Sequence, residues 1–314
     1  MLHVEDLYPF LTTQENAQNY LKKSYSFLRE SQAKSYQNSS AFIHYIHNGT
    51  CFMESSRQSS VLVQPVLSFY GMTHLLKGWL LSKRPDYPET TAVLAHGLTA
   101  RKRKRKDYRF IEDEVKLQQK GLFPYVSRHL FSLYPFPLER VSMRLLLASI
   151  PELSNIWQLY QEESMIIIGN KNSKLLRFPN RILDGFYLKE DTFVERIRAF
   201  LPPIEDIQQK KEELQLYLTG PVKDWDGPFR YDLHNEAIYF PANRASYFPY
   251  SEILVHYLLL FNLSMICRYE TEWWGELMQM KADREYPLIQ RFLTVTQQKT
   301  PALIGQHLLQ NFKE

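Results

Sequence analysis

The sequence predicts an α+β protein, mostly α-helical, with a few short β-hairpins. Three observations carry this expectation. Glycine is scarce, 11 in 314 residues, which disfavours glycine-rich nucleotide loops and many-turned β-sandwiches. Long stretches repeat apolar residues at i, i+3 and i+4, as one face of a helix does. Several pairs of short apolar runs flank turn-forming residues such as Asn48-Gly49 and His234-Asn235, the pattern of hairpins.

Thr12 and Thr13 offer N-caps to a first helix through Tyr20, Leu21 and Leu28. Ser31 to Ser40 is polar and reads as a loop. Phe42 to Phe52 alternates about Asn48-Gly49 and reads as a hairpin, with a helix end as the alternative. Pro65 opens a helix over Val66 to Leu81, because proline suits a first helical turn. Leu67, Tyr70, His74, Lys77 and Leu81 share one side of it. Arg84-Pro85-Asp86-Tyr87-Pro88 ends it. Gln119-Lys120-Gly121 reads as a turn joining Tyr108–Leu117 to Leu122-Phe123 in a hairpin. Val141 to Ile150 is a short helix stopped by Pro151. Met165–Ile168 and Lys174–Phe178 read as a hairpin about Gly169-Asn170-Lys171-Asn172. Phe193–Phe200 and Ile204–Leu218 read as helices, the second with an exposed Lys/Glu side, and Asp224–Pro228 as a loop. Phe229–Phe240 reads as a hairpin about His234-Asn235. Four helices follow, over Ser251–Arg268, Trp273–Ala282, Pro287–Val295 and Pro301–Phe312. In the first of these, Val255, Leu258, Leu259, Asn262 and Ile266 share one side, which predicts a core-facing stripe. No repeat or low-complexity linker breaks the chain. The expectation is one integrated domain over residues 1–314, any subdivision falling near 151–162.

Lys and Arg number 38 against 34 Asp and Glu, a formal net charge of +4. Six of the basic residues stand in a row, Arg101-Lys102-Arg103-Lys104-Arg105-Lys106. Without them the balance is 32 basic against 34 acidic. Basicity is therefore one local feature. Such a cluster in a neutral chain points to an anion at one place: a nucleotide phosphate, nucleic acid or an acidic protein face. A solvated loop is the plainer alternative. Single-stranded nucleic acid favours aromatics interleaved with the cations, and here only Tyr108 and Phe110 follow the run.

Cys51 and Cys267 are the only thiols, too few for a disulfide framework or a metal cluster. His3, His44 and His47 make no convincing metal set, so neither metal nor cofactor is expected. Met1-Leu2-His3-Val4-Glu5-Asp6 lacks the basic start and apolar run of a signal peptide. The most apolar stretch, Ile253 to Ile266, is too short for a bilayer and is interrupted by His256, Tyr257, Asn262 and Ser264. A soluble cytoplasmic protein with no membrane partner is expected. GxxxxGK(S/T), GxGxxG, HExxH, GxSxG and CxxC are all absent, which weighs against the common enzyme classes.

Blocks of sequence carry a resemblance that covers essentially the whole chain. They are Gln64-Pro65-Val66-Leu67-Ser68-Phe69-Tyr70-Gly71-Met72, then Val93-Leu94-Ala95-His96-Gly97-Leu98-Thr99 and Arg101-Lys102-Arg103-Lys104. Asp113-Glu114-Val115-Lys116, Lys120-Gly121-Leu122-Phe123, Leu258-Leu259-Leu260-Phe261, Arg268-Tyr269-Glu270 and Trp273-Trp274 extend it. The chain resembles the YaaC-like family of Bacillus-type bacteria. The resemblance implies a cytoplasmic bacterial protein and places no catalytic residue on this sequence. It also implies a gene neighbour, that of inosine-monophosphate dehydrogenase, and hence a candidate partner in purine metabolism. Paired helices ending in a His faintly resemble HEPN-type helical domains, some of which cut RNA.

Among the candidate residues, His74 and Lys77 lie three apart on one helix face. His96 precedes Gly97, where the backbone can turn sharply. If these segments pack as an antiparallel pair, His96 and the basic run meet at one end of the helix. The expected anion- or partner-binding set is Arg101, Lys102, Arg103, Lys104, Arg105 and Lys106 with His96, Lys77 and His74. Arg230-Tyr231-Asp232-Leu233-His234 is similar to the HEPN ribonuclease pattern but has three intervening residues instead of four to six. Arg268 near a helix end suits the helix dipole, and Trp273-Trp274 suit a core or an interface. The expected function is a non-enzymatic binding or regulatory protein that holds an anionic partner. Nucleic-acid binding and HEPN-like ribonuclease activity are the alternatives.

Overall fold

The computed structural model describes residues 4–100, 108–222, 227–281 and 283–313. Helices α1 (Val4–Leu11), α2 (Gln14–Ser24), α3 (Ser31–Gln58) and α4 (Gln64–Lys83) come first. The expected loop at Ser31–Ser40 and hairpin at Phe42–Phe52 are together the single helix α3. Its buried residues are Ser35, Ser39, Phe42, Ile46, Gly49, Met53 and Ser56, in alternating steps of four and three. That is the spacing of a coiled-coil seam, but four of its seven members are small or polar, so an apolar pattern does not reveal it. Helix α4 packs into the seam. A Cβ on Gly49 would lie 2.6 Å from Leu75 Cδ2 and 3.0 Å from the Leu75 main-chain nitrogen, so only glycine allows this approach. Pro65 sits in the first turn of α4, as the sequence predicts.

Strands β1 (Leu98–Thr99) and β2 (Glu114–Leu117), helix α5 (Leu122–Phe131), β3 (Arg140–Ser142), α6 (Met143–Ala148) and α7 (Ser154–Leu159) follow. The sheet has the antiparallel order β1-β2-β3. Leu122-Phe123 thus starts a helix and not the second arm of a hairpin. The carbonyls of Ala95 and His96 accept the Leu122 and Phe123 N–H groups at 2.7 and 3.0 Å, which caps α5. Ser142 caps α6 by accepting from the Leu145 N–H at 3.3 Å.

The next stretch holds β4 (Met165–Asn170), β5 (Leu175–Pro179), α8 (Asn180–Phe186), α9 (Glu190–Arg198), β6 (Ile204–Gln209), β7 (Glu213–Leu218), β8 (Arg230–Asp232) and β9 (Ala237–Pro241). Two further sheets run β4-β9-β8 and β5-β7-β6. Strands β4 and β5 form where expected but do not pair with each other; β4 joins β9 and β5 joins β7. Ile204–Leu218 is the β6–β7 hairpin and not a helix, since Leu214, Leu216 and Leu218 recur at the strand period of two. The β8–β9 hairpin forms about His234-Asn235, as the sequence predicts. Asp232 fixes that turn by accepting the N–H groups of His234 and Asn235 at 2.8 and 3.0 Å. These elements share a core of their own, in which Phe178, Phe193 and Phe240 meet edge to face at 5.3 to 5.5 Å. The Ala242 N–H donates to the Ser164 carbonyl at 3.0 Å, so the stretch leaves and rejoins the chain at one neck.

Helices α10 (Glu252–Tyr269), α11 (Thr271–Met280) and α12 (Glu285–Lys313) complete the fold. The side of α10 with Val255, Leu258, Leu259, Asn262 and Ile266 is buried as expected. The opposite side is buried too, because α4, α6 and α12 all pack on this helix. The two helices expected at 287–295 and 301–312 are one, α12, which runs through Pro301. Proline cannot donate to the Gln297 carbonyl one turn back, and Arg57 offers that oxygen a replacement donor at 3.4 Å. The main apolar core runs from Leu7 to Leu308 and joins helices from both ends of the chain. Among the described residues the fold is α+β and mostly helical, with twelve α-helices and three small antiparallel sheets. No helix of these residues is long and apolar enough to cross a membrane.

Candidate anion-binding site

A short 3-10 turn at Thr91–Leu94 leads to His96. Gly97 then adopts φ +77° and Gly121 φ +125°, values that L side chains rarely take. The two glycines meet back to back. A Cβ on Gly121 would stand 2.3 Å from the Gly97 Cα. This contact lays residues 95–100 beside 118–120, with Phe261 and Met265 of α10 at the floor. Together they enclose an open cavity of about 630 Å³. Ala95, Gly97, Thr99 and Ala100 put short side chains along one wall.

One cation, Lys120, lines this cavity. Arg268 lies one turn beyond Met265 on α10, its Nη2 at 3.2 Å from the Met265 sulfur. The His96 ring stands edge-on to Phe69 at 4.9 Å and to Phe261 at 5.9 Å. Burial lowers the His96 pKa, and the charges of Arg268 and Lys77 lower it further. Among the described residues, Lys77, Lys120 and Arg268 have no carboxylate within ion-pair distance.

On α4, His74 stacks on Phe52 at 5.6 Å with the rings 7° from parallel. Its Nδ1 is buried without a hydrogen-bond partner. Burial, then Lys77, lowers the His74 pKa. The Lys77 ammonium lies 6.0 Å over the Tyr45 ring, and burial lowers its own pKa. His74, Lys77 and His96 therefore share one electrostatic neighbourhood, with Lys77 acting on both rings. The six expected cations, Arg101 to Lys106, lie outside the described residues. The sequence nevertheless attaches Arg101 directly to Ala100, a wall residue of the cavity.

A family model described as YaaC-like Protein matches residues 9–308. The chain belongs to the YaaC-like family. No curated protein and no solved structure matches it.

This YaaC-like chain also holds a buried charge cluster that no sequence spacing announces. The Lys299 ammonium is 2.8 Å from Glu152 Oε1 and 2.6 Å from Glu252 Oε1. His256 Nε2 is 3.5 Å from the same Glu252 oxygen, and its Nδ1 is 2.8 Å from the Thr296 hydroxyl. All four charged or titratable side chains are buried. Burial alone would raise the Glu252 carboxyl, but Lys299 and His256 outweigh it and hold it down to about 2. Burial lowers the His256 pKa despite Glu252 beside it. Burial also works against the Lys299 charge, but its two carboxylates prevail and raise its pKa. An ammonium held this way is not a nucleophile.

The Arg230–His234 pair falls apart as a catalytic site. The Arg230 guanidinium is buried and donates to the carbonyls of Phe248 and Tyr250 at 2.7 and 2.8 Å, to that of Ser149 at 3.3 Å, and to that of Gly227. His234 lies on the rim of a separate pocket of about 390 Å³ beside Arg291 and the outer edge of the Glu152–Lys299 pair. Sequence reasoning missed Lys120 as a cavity residue, along with Phe261 and Met265. Its one visible signal was Gly121, a glycine directly after Lys120 and ahead of an apolar run.

Proposed function

We propose that this protein is a non-catalytic binding or regulatory protein that holds an anionic partner at the cavity beside β1. One observation carries the reading. Lys120 lines a cavity whose wall continues in sequence into six more cations, and the charges of Arg268 and Lys77 reach the lining residue His96. Unpaired cations at one place raise the local concentration of anions and steer them in. The partner that best fits the family's gene neighbourhood is inosine-monophosphate dehydrogenase, with a free nucleotide as the small-molecule form of the same chemistry.

The test is a titration of purified inosine-monophosphate dehydrogenase, and separately of inosine monophosphate, against the wild type and a variant with Lys102, Arg103, Lys104 and Arg105 all changed to Ser. Saturable binding that the variant weakens, with Tm nearly unchanged, supports the reading. A mixed protein interface shows a shallow salt dependence. Tight binding to single-stranded RNA with a log–log salt slope near about −5 replaces it with a nucleic-acid binder. RNA cleavage that His96→Ala or His234→Ala abolishes replaces it with a ribonuclease. The Arg230 guanidinium is taken up by main-chain carbonyls, which argues against that last outcome.

A further inference from the structure

We infer that the outer side of the α3–α4 pair is a separate binding site, which stacks the base of a mononucleotide and holds its phosphate at Lys77. Four partly exposed rings stand in a row across the two helices. Tyr45 of α3 lies 6.2 Å from His74 of α4, His74 lies 5.6 Å from Phe52 of α3, and Phe52 lies 6.1 Å from Tyr70 of α4. Successive planes differ by 36°, 7° and 34°, so no ring of the row meets its neighbour edge-on. The core rings around Phe69 do the opposite and pack edge to face. Helical spacing sets the row, since Tyr45 and Phe52 share one side of α3, and Tyr70, His74 and Lys77 one side of α4. Glycines bring the two sides together. A Cβ on Gly71 would lie 3.1 Å from the Gly49 carbonyl oxygen, so the backbones nearly touch and the long rings are left along the outer edge of the seam.

The chemistry of the row selects a nucleotide. Aromatic side chains stack any base, because every base has a π-face. The half-buried Lys77 ammonium lies 6.0 Å over the Tyr45 ring and has no carboxylate partner. A cation drawn partly out of water and left unpaired is stabilised by an anion. The buried Nδ1 of His74, between the two, lacks a hydrogen-bond partner. Asn48 is exposed on α3, one turn from both Tyr45 and Phe52, and offers an amide donor and acceptor to the edge of a base. A sugar phosphate gains nothing from the rings, and an apolar ligand leaves Lys77 unpaired. Single-stranded nucleic acid brings a phosphate with every base and calls for a cation at each, whereas this row has Lys77 alone beside it among the described residues. One base and one phosphate match it. The row goes beyond the anion-binding reading above, because it approaches that cavity only where Tyr70 stands 6.4 Å from the His96 ring.

The experiment titrates the full-length protein with a fluorescent aminopurine nucleotide and with the same sugar phosphate lacking its base. Stacking quenches aminopurine. The wild type is expected to quench the nucleotide and to bind it about tenfold or more tightly than the sugar phosphate. Phe52→Leu and Tyr70→Leu fill the space without a π-face, and circular dichroism and Tm first establish that each is folded. Each is expected to cut the nucleotide's advantage about fivefold or more, and Lys77→Met to weaken both ligands. The wild-type comparison decides even where a variant does not fold. Equal binding of the two ligands, or binding without quenching, overturns the inference. An advantage that survives both leucine variants overturns it too. If nucleotide binding is instead lost with Lys102, Arg103, Lys104 and Arg105 changed to Ser, the nucleotide belongs to the cavity, and the anion-binding reading stands without this one. If the leucine variants lose it while the serine variant binds every partner as the wild type does, the row stands and the cavity reading falls. A single-stranded oligoribonucleotide that displaces the probe with a steep salt dependence replaces the mononucleotide with nucleic acid.

Discussion

Gly121 is the residue on which the cavity's shape depends. Any side chain there meets the Gly97 backbone, and the φ of +125° would strain it further. Gly121→Ala should therefore destabilise the protein by about 2 kcal/mol or more, measured by urea midpoint, and should weaken partner binding as the two walls part. Gly97 was visible in the sequence as a turn beside His96. Its contact with Gly121 was not, because a mutual approach of two loops leaves no periodic trace. His256 yields a second prediction. An unfolded histidine takes up a proton near pH 6.5, while the buried ring, facing Glu252, Lys299 and Thr296 with Arg230 nearby, resists it. Below about pH 6.5 the unfolded chain binds more protons, so stability falls as pH falls. His74 and His96 shift in the same direction and add to the slope. His256→Gln should flatten, without abolishing, the loss of stability between about pH 6.5 and 5, as read by urea midpoints across that range. An unchanged slope would mean that the ring is already charged in the fold.

Elements were legible where one dominant signal stood alone. Helix α4 announced itself through Pro65 and its Leu67–Leu81 stripe, and the β8–β9 turn through His234-Asn235. Helix α3 did not, because its seam is built from Ser35, Ser39, Gly49 and Ser56 as much as from Phe42, Ile46 and Met53. Asn48-Gly49 mimics a hairpin turn, yet the glycine is there to let α4 approach. Gly49→Ala should force Leu75 and the backbone behind it to move and cost about 1–3 kcal/mol, whereas alanine at an exposed helical glycine is mildly stabilising. Thermal unfolding checks the sign. The β6–β7 hairpin was hidden by the charged residues Lys210, Lys211, Glu212 and Glu213, which suit a helix surface as well as they suit a turn. Pro301 misled for a different reason. The backbone partner it removes is replaced by Arg57, from a helix far away in sequence. At Pro301 a tertiary contact overrides local preference.

At the scale of the molecule, the candidate site was legible in part. His74, Lys77 and His96 do share a neighbourhood, but the floor of the cavity comes from α10, whose face no local rule assigns. The buried Glu152–Lys299–Glu252 cluster was illegible, since its members come from three remote parts of the chain. Arg230 joins the two apolar cores. It belongs to β8, yet it holds carbonyls of Ser149, Phe248 and Tyr250 on the helical side. Arg230→Met should leave those oxygens buried and unpaired, at a cost on the order of 3 kcal/mol. Calorimetry should then show a van't Hoff enthalpy below the calorimetric one, as the cores cease to melt together.

The neck at Ser164 and Ala242 has a consequence for the order in which the protein is made. Everything between those two residues can close on itself as soon as it has left the ribosome. The first four helices cannot finish, because the hydroxyls of Tyr8 and Tyr20 bond the carbonyls of Pro301 and Leu308. A nascent chain would therefore carry a completed middle and an uncovered beginning, with Leu7, Leu21 and Leu76 exposed until α10 and α12 arrive. The window for mistaken association during synthesis belongs to the N-terminal helices, and its length is set by how quickly the last quarter of the chain is translated.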